Sequence, residues 1–194
     1  MTMQHDIDQY IGQHQEVIRK ISEDDELKLR ILKISEILVQ AYRNNRRLYI
    51  FGCGGSAADA QHIAAEFINK ITFPRQSLPA IALTTDSSIL TAVGNDDAFA
   101  NIFQRQVEGL VTAHDIVLGI STSGTSESVV RGLRAAKEKG ATTIFFTGEK
   151  VRGIPGVTDY VINVPSAATP FIQEAHIMIA HMICTFVERE MFHA

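Results

Sequence analysis

The sequence predicts a three-layer α/β domain: a mostly parallel five-stranded sheet with helices on both faces, a helical arm before it and a long helix after it. Three observations lead there. Short continuous apolar runs, such as LYIFG at 48–52 and TTIFFTG at 142–148, lack the polar alternation of a half-exposed strand and call for cover on both faces. These runs alternate with segments of helical spacing, the pattern of parallel strands joined by crossover helices. The 194 residues also contain no repeat, low-complexity stretch or linker that would divide them.

The elements follow in order. Ile7, Ile11, Ile18 and Ile21 mark a first helix over about 7–21. Leu27, Ile31, Ile34, Ile37 and Leu38 recur at three and four positions and mark a second. Ser22 and the acidic residues at 23–26 read as the start of that helix, with negative charge at the favourable end. Arg43, Arg46 and Arg47 close it with charge of the opposite sign, a solvated helix terminus rather than a nucleic-acid contact. LYIFG then runs into the turn Gly52-Cys53-Gly54-Gly55-Ser56, and the Ala-rich AADAQHIAAEFINK follows as a helix. PAIALT (79–84) is the second strand, SSILTAV opens a helix, and FANIFQRQVEGLV (99–111) is helical again. DIVLGIS (115–121) is the third strand, and after the turn STSGTS a helix runs from about Glu127 to Lys139, stopped by Gly140. TTIFFTG and DYVINVP (159–165) are the fourth and fifth strands, and one long helix runs from about Pro170 to Phe192. The expected organisation is a single domain over 1–194: an arm at 1–47, an α/β core at 48–170 and a terminal helix at 171–194.

Composition excludes several classes of function. Lys plus Arg is 18 against 22 Asp plus Glu, a net charge of -4, so no broad nucleic-acid surface is expected. Cys53 and Cys184 are too few and too far apart for a disulfide framework. The opening MTMQHDIDQY has no apolar core of a signal peptide, and no apolar run approaches the ~20 residues of a membrane helix. A cytoplasmic protein with no membrane partner is expected.

Two strand-to-helix junctions combine glycine with hydroxyl residues: Gly52–Ser56 and Ser121-Thr122-Ser123-Gly124-Thr125-Ser126. In open α/β sheets ligands collect at the carboxyl ends of strands, where a helix N-terminus offers free N–H groups to an anion. Simple helix capping is the competing reading of either turn. Ala57 stands where a third glycine of a dinucleotide motif would be, and no P-loop occurs. A small phosphorylated metabolite therefore fits better than a nucleotide cofactor. His62 and Glu66 lie four apart on one helix face. Gln173 and His181 lie eight apart on the last helix, ~12 Å along it, so both can border one cleft. His62, Glu66, Gln173 and His181 could together hold zinc, but Gln is an uncommon ligand and no short metal signature exists. On the residues alone, a structural hydrogen bond or surface pair is the favoured reading of His62 and Glu66. His5, His14, His114 and His193 have no motif around them, His176 reads as packed, and Cys184 as a small buried hydrophobe.

Taken in order, FGCGGSAADAQHIAAEF, LTTDSSILTAVGNDDAF, VLGISTSGTSESVV and IQEAHIMIAH resemble the sugar isomerase (SIS) domain family, and within it the bacterial phosphoheptose isomerases. The resemblance spans nearly the whole chain. It implies the SIS fold and the interconversion of sedoheptulose 7-phosphate with D-glycero-D-manno-heptose 7-phosphate, toward the heptose of the lipopolysaccharide core. It implies Glu66 and His181 as the acid–base pair, and His62, Glu66, Gln173 and His181 as ligands where zinc is bound. Substrate contacts are implied at Cys53, Gly54, Gly55, Ser56, Lys70, Asn95, Asp96, Ser121, Thr122, Ser123, Ser126 and Gln173. A homotetramer with active sites between subunits is implied too, leaving open whether Glu66 and His181 at one substrate come from one chain or two. Two positions depart from the family pattern: Cys53 stands where Asn is usual, and Lys70 where Arg is common, which gives up a planar fork but keeps the charge. A non-catalytic SIS adaptor, or an isomerase of another sugar phosphate, are the alternatives; the presence of both Glu66 and His181 favours an enzyme.

Overall fold

Five strands, β1 (Leu48–Gly52), β2 (Ala80–Ala82), β3 (Ile116–Ser121), β4 (Thr142–Thr147) and β5 (Tyr160–Asn163), lie in the order β2-β1-β3-β4-β5. The computed structural model describes residues 3–192, so the outermost ends of the expected domain, with His193, lie outside the described residues. Every strand pair is parallel, with Leu48 opposite Ile116 and Ile116 opposite Thr142. The apolar runs explain this, because β1 and β3 are buried along their whole length, as only a sheet covered on both faces allows.

The cover comes from helices α1 (Met3–Glu23), α2 (Asp25–Arg43), α3 (Gly55–Ile68), α4 (Ser87–Asp96), α5 (Ile102–Leu110), α6 (Glu127–Glu138) and α7 (Thr169–Phe192). Alternate strand residues point to opposite faces. Leu48, Ile50, Leu118, Ile120, Ile144 and Phe146 pack in one core with α2, α3 and α7. Tyr49, Phe51, Val117 and Phe145 pack in the other with α5 and α6. Since β1 and β3 are neighbours, the helices that follow them leave the sheet on opposite sides, and a crevice opens between the two loops.

Local boundaries differ from expectation in instructive places. Ser22 does not begin the second helix; it lies inside α1, where its hydroxyl donates to the Arg19 carbonyl at 2.7 Å. Asp24 is the N-cap instead, accepting from Leu27 N at 2.9 Å, because α1 runs on through Ser22 and leaves Asp24 at the corner where α2 begins. The segment at 99 enters as a 3-10 turn, Phe99–Asn101, before α5 begins. The last helix is, by length and composition, long and apolar enough to cross a membrane, although no unbroken apolar run in it reaches that length. Gln173, Glu174, His176 and His181 interrupt the run without lowering its average much. Phe171, Ile172, Ala175, Ile179, Ala180, Ile183 and Val187 form a buried stripe against the sheet and α2, so α7 is a core helix.

His176 is fully buried on that helix. Its Nε2 lies 3.2 Å from the Thr147 carbonyl, which can only accept, so Nε2 carries the proton. Burial pushes His176 from its ordinary 6.5 down to about 4, against a smaller opposing effect of the Thr147 bond. The folded ring therefore stays neutral while the unfolded ring takes a proton, and stability falls as pH drops from 6.5 toward 4, by roughly 3 kcal/mol. We expect His176→Phe to remove this component. Urea midpoints measured at pH 7 and pH 4.5 should show the variant gaining on the wild type by roughly that amount as the solution is acidified.

Candidate active site at the carboxyl edge of the sheet

The loops after β1 and β3 face each other across the crevice, and both lead into helices whose N-termini carry no side-chain cap. Gly54 precedes α3, and Ser126 precedes α6 without a hydrogen bond from its hydroxyl to the helix. Helices α2 and α4, in contrast, are capped by Asp24 and Asp86. The Ser126 hydroxyl lies 3.3 Å from Ser128 Oγ and 3.9 Å from Cys53 Sγ, and Cys53 Sγ lies 3.3 Å from Ser128 Oγ. The capping reading of the second turn thus fails at Ser126, and free N–H groups remain for an anion at both helix starts. Deeper in the same loop, Ser121 Oγ is 3.4 Å from Ser123 Oγ, which accepts from Thr125 N at 3.2 Å, while the Thr122 carbonyl accepts from Gly148 N at 3.1 Å. Ser56 is buried, and it packs so close to β1 that any side chain at Gly52 would meet its carbonyl at 2.7 Å and that of Ile120 at 2.9 Å.

The other expected contacts lie outside these two turns. Asn95 and Asp96 end α4, exposed, with Asn95 Nδ2 donating to Asp96 Oδ1 at 2.7 Å. Lys70 is exposed in the segment after α3. Gln173 lies against Gly55: a Cβ at Gly55 would stand 2.3 Å from the Gln173 amide nitrogen, so only glycine lets α7 approach there.

Farther along the same two helices, His62, Glu66 and His181 converge. His62 Nε2 lies 3.1 Å from Glu66 Oε1, and His181 Nε2 lies 3.3 Å from His62 Nε2, with the rings edge to face. The ligand atoms of all three fall within 4.8 Å of one another. Bonds of ~2.0 Å to a tetrahedral zinc place ligand atoms ~3.3 Å apart, so two of these separations already match an edge of that tetrahedron. Two imidazole nitrogens and a carboxylate are also the donor set of a zinc site with an open position. Glu66 and His181 of one chain thus come together beside His62. Gln173 is held at Gly55, ~10 Å of helix before His62, and would have to swing toward that residue to become a fourth ligand.

Sequence reasoning missed three contributors. Ser128 is buried and bonded to both Cys53 and Ser126, and the second serine of T-S-E-S was its signal. Asp59, one turn before His62, has a carboxylate oxygen buried without a partner among the described residues; burial raises its pKa and the nearby His62 opposes that. Glu188 is a fully buried acid on α7, legible only as a charge interrupting an apolar stripe.

The family signature described as the SIS domain matches residues 9–148. The phosphoheptose isomerase of Clostridium acetobutylicum is 46% identical over 190 residues, covering 98% of this chain and 97% of the relative. The chain belongs to the phosphoheptose isomerase family of SIS-domain proteins. Solved phosphoheptose isomerases agree: that of Neisseria gonorrhoeae superposes with a TM-score of 0.89 at 35% identity, covering 96% of this chain and 98% of that one. The enzyme from Francisella tularensis gives 0.91 at 32%, covering 97% and 100%. Phosphoheptose isomerases are aldose–ketose isomerases, so the adaptor reading falls.

The two thiols of this phosphoheptose isomerase relative sit in opposite environments. Cys184 is 2% exposed and burial pushes its pKa far up, whereas Cys53 is half-buried at the mouth of the crevice. A thiol reagent applied to the native protein should label Cys53 alone, with Cys184 reacting only on unfolding. Peptide mass mapping before and after denaturation reads this directly, and addition of a sugar phosphate should slow the labelling.

Proposed function

We propose that residues 1–194 act as one catalytic domain that interconverts sedoheptulose 7-phosphate and D-glycero-D-manno-heptose 7-phosphate, in the cytoplasm, as a step toward the heptose of lipopolysaccharide. The observation that carries this reading is the convergence of Glu66 with His62 and His181 within one chain, beside a crevice with two uncapped helix starts. The phosphate sits at the hydroxyl turn, on Ser121, Thr122, Ser123 and Ser126 and the N-terminus of α6. Cys53, Gly54, Gly55, Ser56 and Gln173 line the sugar, with Asn95, Asp96 and Lys70 around it. Phosphate binding supplies energy remote from the reacting carbons and holds the open-chain sugar in place.

Isomerisation from the ketose removes a proton from C1 and forms an enediol across C1 and C2. A proton is then returned to C2, while O1 becomes the carbonyl and O2 the hydroxyl. Glu66 takes and returns the carbon proton, and His181 moves the proton between the oxygens, since an imidazole can both donate and accept. His62, bonded to Glu66 and adjacent to His181, orients both. His62, Glu66 and His181 would hold zinc, which when bound supplies Lewis-acid polarisation of a sugar oxygen.

Glu66→Gln and His181→Ala should each lower kcat by about 10²- to 10⁴-fold with a modest change in KM. Ser123→Ala and Ser126→Ala should act chiefly on KM. A coupled assay for aldoheptose product, run with and without zinc, decides this. No product from the folded wild type under either condition would move the reading to another sugar phosphate.

Assembly supports the same site. Met3, Ile7, Tyr10 and Ile11 of α1 and Leu29 and Leu32 of α2 are exposed. A groove lined by Ile18, Ile31, Leu32, Met178, Met182 and Phe186 continues along α7 to a face that includes His181. A second copy of the chain covers this apolar strip in a homotetramer and closes the site from water. Met182→Glu should dissociate the assembly, measured by sedimentation, and lower activity together with it.

A further inference from the structure

The helices that meet at the cluster are tied a second time by a buried ion pair. Glu188 follows His181 by seven residues, on the same face of α7 and ~10 Å along it. Its carboxylate accepts from Ile71 N at 2.9 Å, from Thr72 N at 2.8 Å, from the Thr72 hydroxyl, and from Arg75 Nε at 2.9 Å. Burial alone would raise this carboxyl, yet the Thr72, Ile71 and Arg75 donors hold it down at about 2. Arg75, with a side chain 2% exposed, gives its remaining donors to carbonyls: Nη2 to Glu66 O at 2.7 Å, and Nη1 to Phe67 O at 2.6 Å and Gln76 O at 2.9 Å. The first two belong to the last turn of α3, where carbonyls lack intrahelical partners and the dipole favours a cation.

We propose that Arg75 and Glu188 are positioning residues for the isomerisation, the buried pair fixing the peptide that bears Glu66 against the helix that bears His181. The inference rests on the isomerase reading above and adds to it the device that sets the spacing of its two proton carriers. A buried ion pair is a poor source of stability, since desolvation offsets much of its attraction. Its value here is directional. The planar guanidinium binds the Glu66 carbonyl itself on one side and the α7 carboxylate on the other, in a fork that no lysine reproduces. The same carboxylate orders Ile71 and Thr72, the residues that follow Lys70 at the edge of the site.

The test replaces the pair by apolar residues, R75M/E188L, which keeps the volume filled and leaves no charge unpaired, and compares it with R75K and wild type. Thermal unfolding checks that each variant is folded. Then kcat and KM on sedoheptulose 7-phosphate and zinc affinity by chelator competition are measured. We expect R75M/E188L to fold, to keep KM within about threefold, and to lose about 10- to 100-fold in kcat and in zinc affinity, as loss of supporting contacts around a site does. R75K should fall between, since it keeps the charge toward Glu188 but cannot grip both carbonyls. Wild-type kcat and zinc affinity in folded R75M/E188L would overturn the inference. If that variant does not fold, unchanged values in R75K overturn it instead. A wild type that binds zinc but turns over no sugar would defeat the isomerase reading, and the zinc comparison alone would then decide the role of the pair.

Discussion

The close approach of α3 to α7 is the constraint from which the site follows. One helix leaves the first strand and the other closes the fold, and they run side by side over the same face of the sheet. At their starts the approach is possible only because residue 55 has no side chain to collide with Gln173. At their far ends Arg75 and Glu188 hold them through a web of directed bonds. Between these two fixed points lie His62, Glu66 and His181, and the short distances among them are the product of that spacing. A shift of one helix by an ångström would leave three exposed or half-buried polar groups with no common centre.

The carboxyl edge of the sheet shows a different economy. Asp24 and Asp86 satisfy the starts of α2 and α4 locally. At the switch between β1 and β3, local satisfaction is withheld, and Ser126, Ser128 and Cys53 bond to one another across the crevice instead of to the helix. Cys53 therefore joins the two loops. Its sulfur reaches both Ser126 and Ser128.

Much of this was legible in the sequence because it depends on local periodicity. The apolar runs of β1, β3 and β4 and the glycine-serine turns were placed nearly to the residue, since a strand buried on both faces and a tight turn each leave an unmistakable pattern. The pairing of His62 with Glu66 was visible as a four-residue spacing. Its meeting with His181 was not visible in spacing, because it depends on two helices far apart in the chain; the resemblance to a family supplied it. Asp59, Arg75 and Glu188 left almost no trace. Their roles arise from tertiary contact, and a charged residue destined for burial looks the same in sequence as one destined for water. Ser22 was misread for a related reason: hydroxyl and carboxylate both cap helices, and only the geometry of the α1–α2 corner selects Asp24.

The position of α7 has a consequence for how the molecule is made. It follows every strand of the sheet in the chain, yet it supplies a central stripe of one core and one of the three residues of the polar cluster. Until it is synthesised, α2, α3 and one face of the sheet have no cover over that stripe, and His62 and Glu66 wait with nothing opposite them. A chain interrupted before α7 would hold both glycine-serine turns but neither the complete polar cluster nor a closed core. Such fragments would be both inactive and sticky, so function and solubility depend on the same helix.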